Sequence, residues 1–212
     1  MSSFLKVAFK IFMWVAAIAL IAFGVLRVFF MDIVVMGHDG MAPTLLAGEE
    51  VLMWRGVDDA EMGDILVCHH PTNTGQMVMG RVVGKSGMNI HTDRGILTVS
   101  GTRPERDVLE PNIRFFDTDS NRNVDLSLSR DTFGNTTHYA FWPRGQFRMR
   151  DTVVGANHYF LLGDNRGTHA NDSRTFGHVA TSRCIGRLFM RLKPVDNDRG
   201  ATIDRGWFDI LD

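Results

Sequence analysis

The chain has 212 residues, a formal net charge of −1, 44% hydrophobic residues and 22% charged residues. That length supports one sizeable core, or a core with a small lobe. The near-neutral balance leaves no electrostatic footprint for a nucleic-acid partner, while the aromatic content and 21 glycines suit a turn-rich β protein.

From Val7 to Phe30 the only charged residues are Lys10 and Arg27, and Ile11 to Leu26 is uninterrupted apolar sequence. A helix rises about 1.5 Å per residue, so this run spans a hydrocarbon core of ~30 Å, with Lys10 and Arg27 snorkelling to the two interfaces. The competing reading is a cleaved signal peptide with Lys6 and Lys10 as its basic region. No small-x-small site follows the apolar run, because Arg27-Val28-Phe29-Phe30-Met31 is bulky, so residues 1–30 read as an uncleaved anchor with lipid around residues 7–30. Lys6 and Lys10 on a short leading tail favour an N-in orientation and place the chain from Met31 onward outside the cytoplasm.

Beyond the anchor the signals are β. Glu50–Trp54 and Asp64–Cys68 are short apolar runs, and Gln76–Gly84 is rich in Val and Met. Asn89–His91 and Ile96–Val99 flank a turn at Thr92–Gly95, a hairpin signature. Arg183–Leu192 alternates polar and apolar residues and reads as a late strand. No long segment after residue 30 carries a 3.6-residue period. The expected architecture is all-β with one N-terminal transmembrane helix. A core is formed by residues 31–100 and 153–195. A second β subdomain with long loops is inserted at 101–152, and a peripheral acidic tail covers 196–212.

Two side-chain types invite chemistry. Cys68 and Cys184 each sit inside an apparent strand, and the plain reading is two buried thiols, with a disulfide open to an exported domain. The eight histidines include no HExxH or CxxC companion, and His69-His70 would point to opposite faces of a strand. No metal and no cofactor is expected.

The motifs are more specific. Gly40-Met41-Ala42-Pro43-Thr44-Leu45, Gly63-Asp64-Ile65-Leu66-Val67, Gly80-Arg81-Val82-Val83-Gly84, Tyr159–Arg166 with Gly163-Asp164-Asn165-Arg166, and Asn171-Asp172-Ser173-Arg174-Thr175-Phe176-Gly177 occur in that order. Together they resemble the boxes of type I signal peptidases, membrane-bound Ser/Lys endopeptidases that remove signal peptides. In that family the first box reads Ser-Met-x-Pro-Thr-Leu, the second Gly-Asp-Ile-Val-Val and the third Lys-Arg-Val-Val-Gly. The late box is one residue longer here between Arg166 and Asp172, and the family's inner serine has only His169 or Ala170 near its place. Thr132–Tyr139 resembles the extra β domain of Gram-negative members.

The resemblance implies a mechanism and then removes its two side chains. A serine is activated by a lysine whose pKa is depressed by apolar surroundings, and oxyanion-hole donors stabilise the tetrahedral intermediate. The nucleophile maps to Gly40 and the base to Gly80. Asp39, Lys85, Ser86 and Thr44 are neighbouring groups without the placement of a dyad, and His38 falls where some relatives place an oxyanion-hole serine. The family's substrate lies as an extended strand between the first-box loop and the third-box strand. This implies edges at Val34–Gly40 and Met77–Val83 and substrate-binding residues Met36, His38, Asp39, Met41, Pro43, Val78, Met79, Arg81 and Val82, with a groove widened at Gly80. Gly163, Asp164, Asn165, Arg166, Asp172, Ser173 and Arg174 form a structural box, Asp172 pairing with Arg174 or Arg166. The implied protein is a signal-peptidase-like pseudoenzyme in a bacterial cytoplasmic membrane, with a periplasmic domain that binds an exported or membrane-anchored polypeptide as an extended strand or assists its assembly. The alternatives are an active peptidase with relocated catalytic groups and a structural subunit of a membrane complex.

Overall fold

The computed structural model describes residues 3–73, 75–93, 96–133, 136–167, 171–196 and 203–211. Arg94 and Gly95 of the expected hairpin turn, Gly134 and Asn135, His169 and Ala170, and residues 197–202 of the tail lie outside them. Helix α1, Ser3–Phe30, is continuous, and its Leu5–Phe30 stretch, with a mean hydropathy of 2.4, is long and apolar enough to cross a membrane. Its large apolar side chains are exposed, as an anchor requires in the absence of lipid.

Strand β1 (Met31–Val35) begins at the residue after α1 ends. The following strands are β2 (Glu50–Arg55), β3 (Ile65–His69), β4 (Met77–Lys85), β5 (Asn89–Asp93), β6 (Ile96–Val99), β7 (Glu105–Asp117), β8 (Arg122–Phe133), β9 (Thr136–Pro143), β10 (Thr152–Val153), β11 (His158–Leu162), β12 (Val179–Ala180), β13 (Cys184–Lys193) and β14 (Asp209–Ile210). One large antiparallel sheet runs β1-β2-β13-β3-β4-β11-β12, with β14 added beside β13. Two three-stranded sheets, β10-β5-β6 and β7-β8-β9, complete the fold. The mostly-β class with an N-terminal apolar helix agrees with the sequence expectation.

The join between helix and sheet is tight. Phe30 stacks on Trp54 at 5.7 Å. Arg55 donates to the Val28 carbonyl at 3.0 Å and pairs with Asp32 at 3.1 Å. Arg27 donates to the Met31 carbonyl at 2.8 Å. The last carbonyls of a helix lack intrahelical partners, and these arginines supply cations there.

The large sheet is apolar on both faces. Met36, Met41, Leu45, Val51, Met53, Ile65, Val67 and Leu188 form one cluster, against which Val34, Met79 and Leu211 pack. Leu66, Cys68, Val78, Val82, Tyr159 and Leu161 belong to the other. A third cluster joins Ala42 and Leu46 of the first-box loop to Ile113, Phe115, Leu126, Leu128 and Phe141 of the β7–β9 sheet. That contact seats the meander on the loop that carries Gly40.

Three expectations are corrected. Between Glu105 and Pro143 the expected β subdomain is a meander of three long strands, not one dominated by long loops. Ile113, Phe115, Leu126 and Leu128 face inward, while the charges of Asp107, Arg114 and Arg130 sit on solvent-facing positions. Cys68 and Cys184 are joined as a disulfide rather than held as thiols, because pairing of β3 with β13 makes them cross-strand partners. The tail is not merely peripheral: Asp209–Ile210 extends the main sheet, and the Arg205 side chain is buried against Glu49.

Candidate functional site

Of the two edges that the boxes imply, only part lacks a strand partner among the described residues, since the backbone of Asp39 and Gly40 is hydrogen-bonded to Ala42, Asp119, His38 and Asn165 and Arg81–Val83 lies beside β11. Among the described residues β1 pairs on one side only, with β2. β4 pairs with β3 through Met77–Arg81 and with β11 only from Arg81 to Lys85. Among the described residues, the second edge of Met77–Gly80 has no strand partner. Val34, Met36 and Met79 share one apolar cluster, so the ends of the two edges are joined by side-chain packing.

Gly40 lies in a short 3₁₀ turn, Asp39–Met41. Its N–H donates to His38 Nδ1 at 3.1 Å, and its carbonyl accepts from the Asn165 N–H at 3.1 Å. The Asn165 side chain also donates to the Asp39 carbonyl at 3.2 Å. A Cβ added at Gly40 would stand 2.9 Å from His38 Nδ1, so the imidazole occupies the space of a side chain at this position.

Gly80 is buried, and its missing side chain is filled from behind. A Cβ there would stand 3.0 Å from Leu161 Cβ and 3.1 Å from the Leu162 nitrogen. The space of the missing side chain at Gly80 is taken by β11, so the expected widening of the groove does not occur there. A base at this position requires movement of backbone, not only of a flexible side chain.

The fallback groups are engaged elsewhere. Asp39 is buried, and its carboxylate accepts from the Ala47 N–H at 2.9 Å and from both the N–H and the hydroxyl of Thr118 at 2.8 and 2.5 Å. The Asp39 N–H donates in turn to Asp119 at 3.0 Å, and burial raises the Asp119 carboxyl above the ordinary range. Lys85 pairs with Asp59 at 2.8 Å. That hydrogen bond raises the ammonium pKa, the opposite of what a general base needs. The Thr44 hydroxyl donates to Asp164 at 2.6 Å, and Ser86 is exposed on a turn.

Next to Gly80 sits a fully buried ion pair, Arg81 with Asp164. Arg81 Nε and a terminal nitrogen donate to Asp164 at 3.0 and 2.8 Å, and another donates to the Gly63 carbonyl at 2.7 Å. Burial alone would raise the Asp164 pKa, but the Arg81 and Arg166 charges and the Arg81 hydrogen bonds outweigh it and hold the carboxyl below its ordinary range. His138 lies 4.0 Å from the same carboxylate, with neither ring nitrogen hydrogen-bonded. Burial first, and Arg81 second, push its pKa down to about 3. Arg166 is also buried, 3.7 Å from Asp164, and burial lowers it to about 10.

The late box ties these parts together. Asp172 accepts from the Gly163 N–H at 2.9 Å, caps the short helix α2 (Ser173–Phe176) and pairs with Arg174 at 2.9 Å. Arg174, not Arg166, is its ion-pair partner. Ser173 accepts from the Leu161 N–H at 2.9 Å, which fixes the strand that backs Gly80.

Of the expected substrate-binding residues, only His38 and Met79 are half-buried. The side chains of Met36, Asp39, Met41, Pro43, Val78, Arg81 and Val82 are buried and form the inner layer behind the edges. Arg81 in particular faces Asp164 rather than the groove. Sequence reasoning missed Thr118, Asp119, His138 and Glu49. Their proximity depends on the long meander and on pairings remote in sequence, which no local pattern signals. Among the described residues no group of three or more His, Cys, Asp or Glu side chains is placed to hold a metal ion.

The sequence matches the family profile for signal peptidase, peptidase S26, over residues 9–193. It is 27% identical over 184 residues to signal peptidase I of Bacillus caldolyticus, covering 85% of this chain and 88% of that protein. It is 26% identical over 201 residues to signal peptidase I of Pseudomonas fluorescens, covering 78% of this chain and 66% of that protein. A crystal structure of a signal peptidase I from Enterococcus faecalis V583 aligns with 63% of this chain and 99% of that chain, at 22% identity and a TM-score of 0.40.

Proposed function

The chain belongs to the signal peptidase, peptidase S26, family, and from that membership we propose that it is a non-catalytic member that binds an extended exported or membrane-anchored polypeptide without cutting it. The observation that carries this reading is glycine at both dyad positions, Gly40 and Gly80, inside otherwise recognisable boxes. In serine peptidases of another mechanism, loss of the nucleophile or the base costs on the order of a million-fold in rate. The nearest substitutes are tied up: Asp39 by Thr118, Thr44 by Asp164, and Lys85 by Asp59. The one-sided pairing of β1 and of Met77–Gly80 supports strand addition, which uses backbone hydrogen bonds and needs no catalytic side chain.

The proposed location is a bacterial cytoplasmic membrane, with one span and the β domain on the periplasmic side. Lys6 and Lys10 before the apolar run support that orientation. The Cys68–Cys184 disulfide fits an oxidising compartment.

The test is incubation of the full chain, in detergent or lipid, with a preprotein and separately with the extended peptide around its cleavage site. The expected result is no cleavage, with the peptide protecting the Met77–Gly80 amides from hydrogen exchange. Met79→Glu should abolish that protection, because Met79 is half-buried in the apolar cluster that joins the two edges. Clean cleavage by the unmodified protein, lost on substituting Asp39 or Lys85, would establish an active peptidase with relocated groups. No cleavage and no protection by any exported peptide would favour a structural subunit.

A further inference from the structure

Residues 203–211 surround the loop that carries Gly40. Ile203 packs on the cluster containing Ala42 and Leu46. Arg205 enters the interior, where one terminal nitrogen donates to buried Glu49 at 2.7 Å and the other to the Pro43 carbonyl. Asp209 pairs at 2.5 Å with Arg191, whose other terminal nitrogen donates to the Thr44 carbonyl at 2.6 Å. Leu211 donates its N–H to the Phe189 carbonyl and packs on the cluster of Met36, Met41 and, at its margin, Met79.

Glu49 is the hub of this arrangement. Its carboxylate lies between Arg205 and Arg191, the latter at 3.3 Å, and also accepts from the Leu46 N–H at 3.0 Å. Its carbonyl accepts the Met36 N–H at 2.9 Å, and Met36 ends the edge that starts at β1. The two buried arginines therefore satisfy one buried carboxylate and the carbonyls of Pro43 and Thr44. A buried carboxylate deprived of one cation is costly to keep in place.

We propose that Ile203–Leu211 is a strap that positions the Gly40 loop, with Arg205 as its positioning residue, so that docking of the strap sets the shape of the groove. The link to polypeptide binding rests on the reading given above; the positioning itself rests on the contacts alone. Arg205 acts through Glu49 and Pro43. A guanidinium suits the task because its fork reaches both oxygens at once, which an ammonium does not.

The test is hydrogen exchange on the full chain in detergent micelles, comparing wild type with Arg205→Ala and Arg205→Lys. Arg205→Ala should speed exchange at the Met36, Ala42 and Leu45 amides at least tenfold. Gly87, whose N–H donates to the Val154 carbonyl, and Val99, whose N–H donates to the Thr102 carbonyl, flank the far β5–β6 hairpin and should be unchanged. Arg205→Lys should fall between the two. If Arg205→Ala does not fold, Asp209→Asn serves, because Asp209 is half-exposed, and a several-fold acceleration at the same three amides is expected with an unchanged melting temperature. Equal acceleration at the hairpin amides, or none at the loop amides, would overturn the proposal. In a parallel arm, an extended exported peptide should bind Arg205→Ala about tenfold more weakly than wild type. A wild type that binds no peptide would sink the binding reading, while the exchange pattern would still decide for or against the strap.

Discussion

Gly163 approaches Gly40 so closely that a Cβ at position 163 would stand 2.4 Å from the Gly40 carbonyl oxygen. The late box and the first box are therefore in backbone contact, and the glycine is required by that contact rather than by a turn. Gly163→Ala should push the two loops apart and cost about 1–3 kcal/mol, the usual range for overpacking. Urea unfolding measures the loss. Loss of Met36–Leu45 amide protection beyond that at the β5–β6 hairpin would locate it at this contact.

Restoring the dyad tests the meaning of the two glycines. Gly40→Ser alone should not cleave a preprotein, because an unactivated serine is a weak nucleophile. Gly80→Lys alone supplies a base with nothing to activate and should also destabilise the fold by about 1–3 kcal/mol, since β11 stands where its Cβ must go. The double variant should show at most trace cleavage, and less if His38 keeps its place beside position 40. Gel assay of a preprotein in detergent reads the activity, and thermal melts read the strain. Rapid processing by the double variant at wild-type stability would show that position 80 is not closed.

The charged interior around Asp164 should make the fold acid-sensitive well above the carboxylate range. His138 is neutral when buried, with its pKa lowered from 6.5 to about 3. The unfolded chain therefore binds more protons than the folded one between those values, and stability falls as pH drops through 6.5 toward 3. Between pH 7 and pH 5 this histidine should remove about 2 kcal/mol. Asp164, with its pKa held low, adds a loss only at more acidic pH, as that carboxylate is forced to protonate. His138→Gln should flatten the pH 5–7 slope in urea titrations, and an unchanged slope would exclude His138 as its source.

Much of this arrangement was legible before the structure and some was not, for identifiable reasons. The anchor, the Asn89–Val99 hairpin and the Cys184–Lys193 strand announce themselves through hydropathy and short-range pattern. The glycines at 40 and 80 are fixed by flanking motif residues. Arg81 was misplaced because a charged residue in a groove strand reads as a surface group until its partner, Asp164, is known to lie beneath it. Those two are 83 residues apart, and no local signal carries such a pairing. The meander was obscured because charges such as Asp107, Arg114 and Arg130 occupy the solvent face of long strands and resemble loop composition. The Cys68–Cys184 bridge depended on which strands become neighbours.

That bridge should matter for stability. It closes a loop across a sequence separation of 116 residues, and cross-links over loops of that size contribute about 3–5 kcal/mol by restricting the unfolded chain. Replacing Cys68 and Cys184 together by alanine, or reducing the protein, should lower the melting temperature by several degrees. Non-reducing against reducing gel mobility after alkylation checks that the bond is present. Two freely alkylated thiols in the folded protein would contradict the pairing.

The join at Phe30 and Met31 makes helix and sheet a single lever. Helix tilt in a bilayer follows the match between apolar length and hydrocarbon thickness. Arg55 bonds the Val28 carbonyl and Phe30 stacks on Trp54, so a change of tilt acts directly on the start of the sheet. On the proposed reading, the angle at which the β1 and β4 edges meet a bound polypeptide would then depend on bilayer thickness as well as on the protein itself.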